Sequence, residues 1–382
     1  MSFDPNREDY QRLGLRFARS LDGGGAAGAA RAFASFGRRF SQDRDSLPQT
    51  DADRAFHLVA RATTVIDYQL PFAESDARAA ELIQRGHALL DEALALDPNC
   101  HDAARMQHAA TIAGFDAFFH YLEQGEKDVR RSCTAARDAA LAKDDGDRSL
   151  LEADLAMRPY LRWLATMADK ALICGRNRQC LDICRRALEA DPNDAADVRF
   201  SAALAYAKLE DAAGLDALAQ RSATLGVPRR HEGADAWQLI ARVSLAHSRH
   251  DEDDALRQLR ALLATYPHAA ATLASQRELP DGVFCRLAVP PYSEDELIVA
   301  TSEATVLLQE GRDSHGHGAL GSWVAAQAQR LDPRDVAELR AWEKSMDAAA
   351  GASGGAGAGG QRPGGPTAGG RPGGPRADGG DR

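Results

Sequence analysis

Cys184-Arg185-Arg186-Ala187-Leu188-Glu189-Ala190-Asp191-Pro192-Asn193 is the stretch whose reading decides the fold. Its apolar residues recur at helical spacing, and a proline stops it. Pro192 cannot donate the next helical hydrogen bond, and it pushes the residue before it out of helical geometry. Asn193 or Asp194 is then placed to cap the helix that follows.

Three other stretches end in the same way. Leu89-Leu90-Asp91-Glu92-Ala93-Leu94-Ala95-Leu96 runs into Asp97-Pro98-Asn99. Leu259-Arg260-Ala261-Leu262-Leu263-Ala264-Thr265 runs into Tyr266-Pro267-His268. Ala325-Ala326-Gln327-Ala328-Gln329-Arg330-Leu331 runs into Asp332-Pro333-Arg334, with Asp335 as the next candidate cap. Four helices with a shared ending point to repetition of one helical unit.

Read backward from Pro192, through Leu172-Ile173-Cys174-Gly175-Arg176-Asn177-Arg178-Gln179-Cys180-Leu181, the unit resembles a tetratricopeptide repeat. That family pairs two antiparallel helices and closes each unit with a proline. The resemblance puts Gly175 at the turn and Cys180 and Ala187 at the small positions where the helices touch. It puts Ala255 at the small position before Pro267, Gly316, Gly321 and Ala328 at the turn and small positions before Pro333, and Gly86 and Ala93 before Pro98. The intervals between these prolines are nearer to two units of about 34 residues than to one. Degenerate units are expected around 118–141 and 195–225. A narrower likeness covers the C-terminal half: a helix over 194–209, another over 237–263, Tyr266-Pro267-His268, then Val289-Pro290-Pro291-Tyr292-Ser293 before a further helix. This order is similar to the suppressor-of-tumorigenicity-7-like group of tetratricopeptide proteins. The resemblance implies an all-α, irregular array of antiparallel helical hairpins, an α-solenoid, and no catalytic residues.

Composition agrees. Aromatics are only 6% of the 382 residues, and Ala, Leu, Arg, Asp and Glu are plentiful, which favours helix over sheet. A formal net charge of −10 argues against a dedicated nucleic-acid binder. No signal-peptide core follows the polar start, no apolar run spans a bilayer, and the cytoplasm is the expected location. The scattered Cys100, Cys133, Cys174, Cys180, Cys184 and Cys285 read as reduced thiols. Three regions are expected. Residues 1–50 form short helices around Gly23-Gly24-Gly25, residues 51–347 form the helical domain with a helix over 51–70, and residues 348–382 form a disordered Gly/Ala/Pro/Arg tail. The tail repeats Arg-Pro-Gly-Gly-Pro at 362–366 and 371–375.

No chemical constellation stands out. Cys180 and Cys184 share a helix face, but a thiolate zinc site wants a second pair, and these read as core thiols. His315-Gly316-His317 reads as a solvated turn without a third ligand. His87, His101, His108 and His120 form no His-Glu-x-x-His zinc motif. There is no phosphate-binding Gly-x-x-x-x-Gly-Lys loop and no Gly-x-Ser-x-Gly elbow. Arg130-Arg131, Arg185-Arg186 and Arg229-Arg230-His231 are interleaved with acids and read as solvated faces. No cofactor or metal is expected.

The resemblance implies a concave groove for a peptide or partner helix. It puts Arg162, Ala165, Asp169, Leu172 and Ile173 on the groove side, then Arg199, Ala203 and Tyr206. Arg162, Arg199 and Tyr206 are the candidate partner contacts, since Arg and Tyr anchor many interfaces. Chaperone-binding relatives hold a carboxylate with Lys and Asn where this chain has Ala165 and Asp169, so chaperone tails are not expected to bind. The expected function is a non-catalytic protein-interaction scaffold. Two alternatives stay open: a nucleic-acid-associated regulator acting through the Arg/Gly tail, and a metal-dependent enzyme with a site in the groove.

Overall fold

The computed structural model describes residues 4–21, 26–224, 231–279, 289–312 and 316–353. Among these residues every regular element is helical, with no strand and 17 α-helices. Gly23 to Gly25, Arg229, Arg230, Cys285, His315 and residues 354–382 of the expected tail lie outside the described residues.

The four proline-stopped helices end where the sequence says. They are α4 (Asp76–Leu96), α8 (Asn177–Ala190), α12 (Glu252–Thr265) and α16 (Ala319–Leu331). Each is followed by a residue in extended or near-extended backbone: Asp97 (φ −137°, ψ 98°), Asp191 (−138°, 96°), Tyr266 (−112°, 135°) and Asp332 (−137°, 80°). That is the geometry a following proline enforces. Asp97 and Asp191 also accept the Asn99 and Asn193 amides at 2.9 and 3.0 Å, which fixes the turn.

The remaining helices fill in the hairpins. At the N-terminal end lie α1 (Pro5–Ser20), α2 (Ala26–Gln42), α3 (Asp51–Thr63) and α5 (His101–Thr111). Next come α6 (Phe115–Leu141), α7 (Asp147–Ile173), α9 (Val198–Lys208), α10 (Ala212–Ser222) and α11 (Ala236–Ser248). The series closes with α13 (Ala269–Ser275), α14 (Glu294–Glu303), α15 (Thr305–Leu308) and α17 (Pro333–Ser353). Helices pack mainly on chain neighbours: α3 on α4, α6 on α7, α7 on α8, α8 on α9 and α11 on α12. Residues up to Val336 form one compact unit, and a second begins at Ala337, within α17. No helix among the described residues is long and apolar enough to cross a membrane.

The small positions are close approaches. Gly175 takes φ +72° in the α7–α8 turn, a conformation that suits glycine. Cys180, Ala187, Ala255 and Ala328 are buried at the helix contacts. A Cβ on Gly86 would lie 2.6 Å from Ile66 Cγ1.

Other expectations need correction. The region 118–141 is no separate hairpin: α6 runs 27 residues without a break and lies along the equally long α7. The helix expected over 51–70 is α-helical only to Thr63 and then widens into a π-helix, Thr64–Gln69, where Thr63 and Thr64 hydroxyls donate back to Val59 O and Ala60 O. Asp335 does not cap its own helix. Asp332 accepts the Asp335 amide, and the Asp335 carboxylate reaches across to the Ala271 amide of α13 at 2.8 Å and to His268 at 2.9 Å.

Most of the buried apolar residues fall into three clusters. The largest runs from α6 through α16, a second joins α3, α4 and α5, and a third holds α1 and α2 together.

Candidate functional site

The site grows from one irregularity in α7. Pro159 lies inside this helix and has no N–H, so the carbonyl of Leu155 one turn earlier loses its helical donor. Arg12 of α1 supplies one: its guanidinium donates to Leu155 O at 3.4 Å. Around this point α1 lies against α7 and α3.

Glu8 of α1 is completely buried there. Its carboxylate faces Arg12 at 2.7 Å, Arg162 at 2.7 Å and Arg158 at 3.5 Å. Arg162 also reaches Asp102 of α5, with Nε–Oδ1 at 2.7 Å, and Arg105 lies 3.5 Å from the same carboxylate. The Phe56 ring of α3 is covered by two guanidiniums, Arg12 at 4.3 Å and Arg162 at 5.5 Å from its centre. Burial alone would push both carboxyls up. The guanidiniums outweigh it, led by Arg162 in each case: Glu8 is held below the usual carboxylate range and Asp102 falls to about 2.

The charges continue along α1 in register. Asp9 meets His57 at 2.8 Å, and Gln11 accepts from Arg158 at 2.9 Å. Further on, Arg16 pairs with Asp53, and Arg19 pairs with Asp145 at 2.8 Å and Glu152 at 2.7 Å. The face under α1 is therefore basic at one end and acidic at the other, and α1 matches both.

Arg162, an expected partner contact, is part of this set. It sits on the predicted face of α7, but that face is covered by α1 and α5, and Arg162 is committed to Glu8 and Asp102. Leu161 and Leu172 are in the main core, and Asp169 lies 3.2 Å from Lys170. Glu8, Asp102 and Arg158 were missed. Their signal was present: Pro159 within an apolar-periodic run, and Glu8, Arg12, Arg16 and Arg19 spaced along one face of a helix.

Arg199 is likewise engaged within the chain. It is 3% exposed and bonds Asp194 at 3.0 Å and Asp197 at 2.6 Å. Asp194 also accepts the Val198 and Arg199 amides, so it caps α9 from a distance. Burial first, with the charge of Asp197 adding, outweighs Arg199 and pushes Asp194 up to about 6. Nearby, Glu296 is fully buried and is bonded by His231 Nε2 at 2.7 Å and by the Tyr266 hydroxyl at 2.8 Å. Arg199, His231, Asp235, Gln238 and Arg242 line a cavity of about 150 Å³. Tyr206 is half-buried, and its ring lies where a side chain on Gly214 would collide with it. The structure thus does not bring Arg162, Arg199 and Tyr206 together on one open groove.

Cys180 and Cys184 are buried, with their sulfurs directed at Ser201 O (4.0 Å) and Val198 O (3.4 Å). Arg185 and Arg186 pair with Asp182, Glu189 and Glu126, and Arg131 with Asp128. No protein-family model matches the chain, and no curated protein matches it.

Proposed function

We propose that this protein is a non-catalytic interaction scaffold of tetratricopeptide-like helical hairpins that holds a partner helix against the face formed by α3, α5 and α7. The observation that supports the reading is α1 itself. A helix already lies on that face, recognised through a buried carboxylate that meets Arg158 and Arg162 and through opposite charge at its two ends. Buried Arg–carboxylate pairs with matched geometry fix register and orientation. Helical-hairpin arrays commonly present such faces to other chains.

The test is capture from native lysate with the full-length protein and with Arg158→Glu, a partly exposed residue of the face. A stoichiometric partner retained by the native chain and lost by the variant supports the scaffold. No protein partner, with nucleotide, nucleic acid or metal co-purifying, overturns it.

A further inference from the structure

The α1–α2 hairpin carries its own apolar core. Leu13 and Phe17 pack with Phe36 and Leu47, and Leu21 and Phe40 close around them. The Phe17 and Phe36 rings are 5.3 Å apart and stacked, and Tyr10 meets Phe36 edge-on at 5.0 Å. This cluster is separate from both others. The junction with the rest of the chain has a different character: it is crossed by the ion pairs of Glu8, Asp9, Arg16 and Arg19 and by hydrogen bonds of Gln11 and Arg12. Apolar burial makes the hairpin, and charge, together with Arg12 over the Phe56 ring of α3, docks it.

Glu8 and Asp9 on the hairpin, and most of the charges that face α1 from the body, have second partners on their own side. Within the hairpin, Glu8 keeps Arg12 and Asp9 keeps Arg44. In the body, Arg162 keeps Asp102, Arg158 keeps Asp154, Glu152 keeps Lys143, Asp145 keeps Ser149, and Asp53 keeps the Thr50 amide. Removing one member of a buried ion pair is costly because it strands the other. Here separation leaves the buried carboxylates and the body's guanidiniums with a partner, and releases only Arg16 and Arg19, 36% and 21% exposed while docked, to water. The desolvation cost of burying so many charges also offsets much of their attraction while docked. Such a junction opens at lower free energy than the cores on either side.

We infer that the α1–α2 hairpin is a displaceable cap, and that the face beneath it takes in its place a partner's amphipathic helix with an acid in its first turn and basic residues two and three turns later. The inference rests on the reading of this face as helix-binding. The partner's chemistry follows from the face: Arg158 and Arg162 receive the acid, and Asp53, Asp145 and Glu152 receive the basic residues at the spacing Glu8, Arg16, Arg19.

The experiment has two arms, both on the full-length chain. In the first, amide exchange is followed on the native protein: α1 and α2 should exchange together, ahead of α6 and α7. In the second, Glu8→Lys places a cation among three guanidiniums and releases the cap. A labelled peptide of residues 4–21 should then bind this variant at least about tenfold more tightly than it binds the native protein. The same peptide carrying Arg16→Glu and Arg19→Glu should not bind. Protection of α1 equal to that of α7 overturns the cap, whether or not the variant folds, and leaves the scaffold reading to its capture test. Early exchange of α1 with no peptide binding to a folded Glu8→Lys variant overturns the helix-binding face itself. A dimer held by α1 exchanged between two copies overturns the assignment to a foreign partner.

Discussion

Pro159 shows how one residue organises its surroundings. The carbonyl it deprives is met by Arg12, and Arg12 in turn covers Phe56 and pairs with Glu8. Arg162 stands at the centre of this set, shared between Glu8 and Asp102. Arg162→Met leaves Asp102 and Glu8 buried against weaker partners, and it should cost about 3 kcal/mol in urea unfolding. Glu8→Gln should cost only about 1 kcal/mol, because Arg162 keeps Asp102. Equal costs for the two would show that Glu8 matters to Arg162 as much as Asp102 does. The small positions were legible residue by residue, because close helix contact tolerates only small side chains. Gly321 is the sharpest: a Cβ there would strike the Leu308 carbonyl and lie 2.6 Å from Gln276 Oε1. Backbone cannot yield as a side-chain tip does, so Gly321→Ala should lower stability by about 1–3 kcal/mol in the same measurement.

At the scale of elements, four helix ends were legible because an X-Pro pair acts on local backbone alone, whatever packs around it. Leu96, Ala190, Thr265 and Leu331 end their helices just ahead of Pro98, Pro192, Pro267 and Pro333. Pro159 obeys a different balance. Tertiary packing along the full length of α6, and a donor from α1, hold α7 together through it. The same logic explains the caps. Asp335 is spaced to cap a helix beginning near Pro333, yet it serves α13, because Asp332 already accepts the nearby amide. Asp335→Ala should therefore cost about 1 kcal/mol and loosen α13. Amide exchange at Ala271 rising ahead of that in α17 would confirm the assignment, and faster exchange confined to α17 would refute it.

For the whole molecule, composition and spacing disclosed an all-helical chain of hairpins, but not which charges are buried. A sequence with 46 basic and 56 acidic residues reads as solvated faces. Long-range pairs such as Glu8 with Arg162 join segments that no local pattern connects. Two buried clusters now set opposite pH responses. Glu8 and Asp102 titrate below their ordinary range, so their contribution is present above about pH 4 and is lost as pH falls below it, for Asp102 through about 2. Asp194 titrates above its ordinary 3.8, at about 6, so its contribution is full below about pH 4 and is lost as pH rises through 6. The melting temperature should accordingly rise between pH 7 and 5, and fall between pH 4 and 2. Asp194→Asn keeps an acceptor for the Val198 amide while removing the titration. It should flatten the rise and leave the acid-side fall intact. Native and Asp194→Asn proteins whose melting temperatures follow the same profile from pH 7 to 5 would mean that Arg199 keeps Asp194 charged, and that burial does not dominate at this cluster.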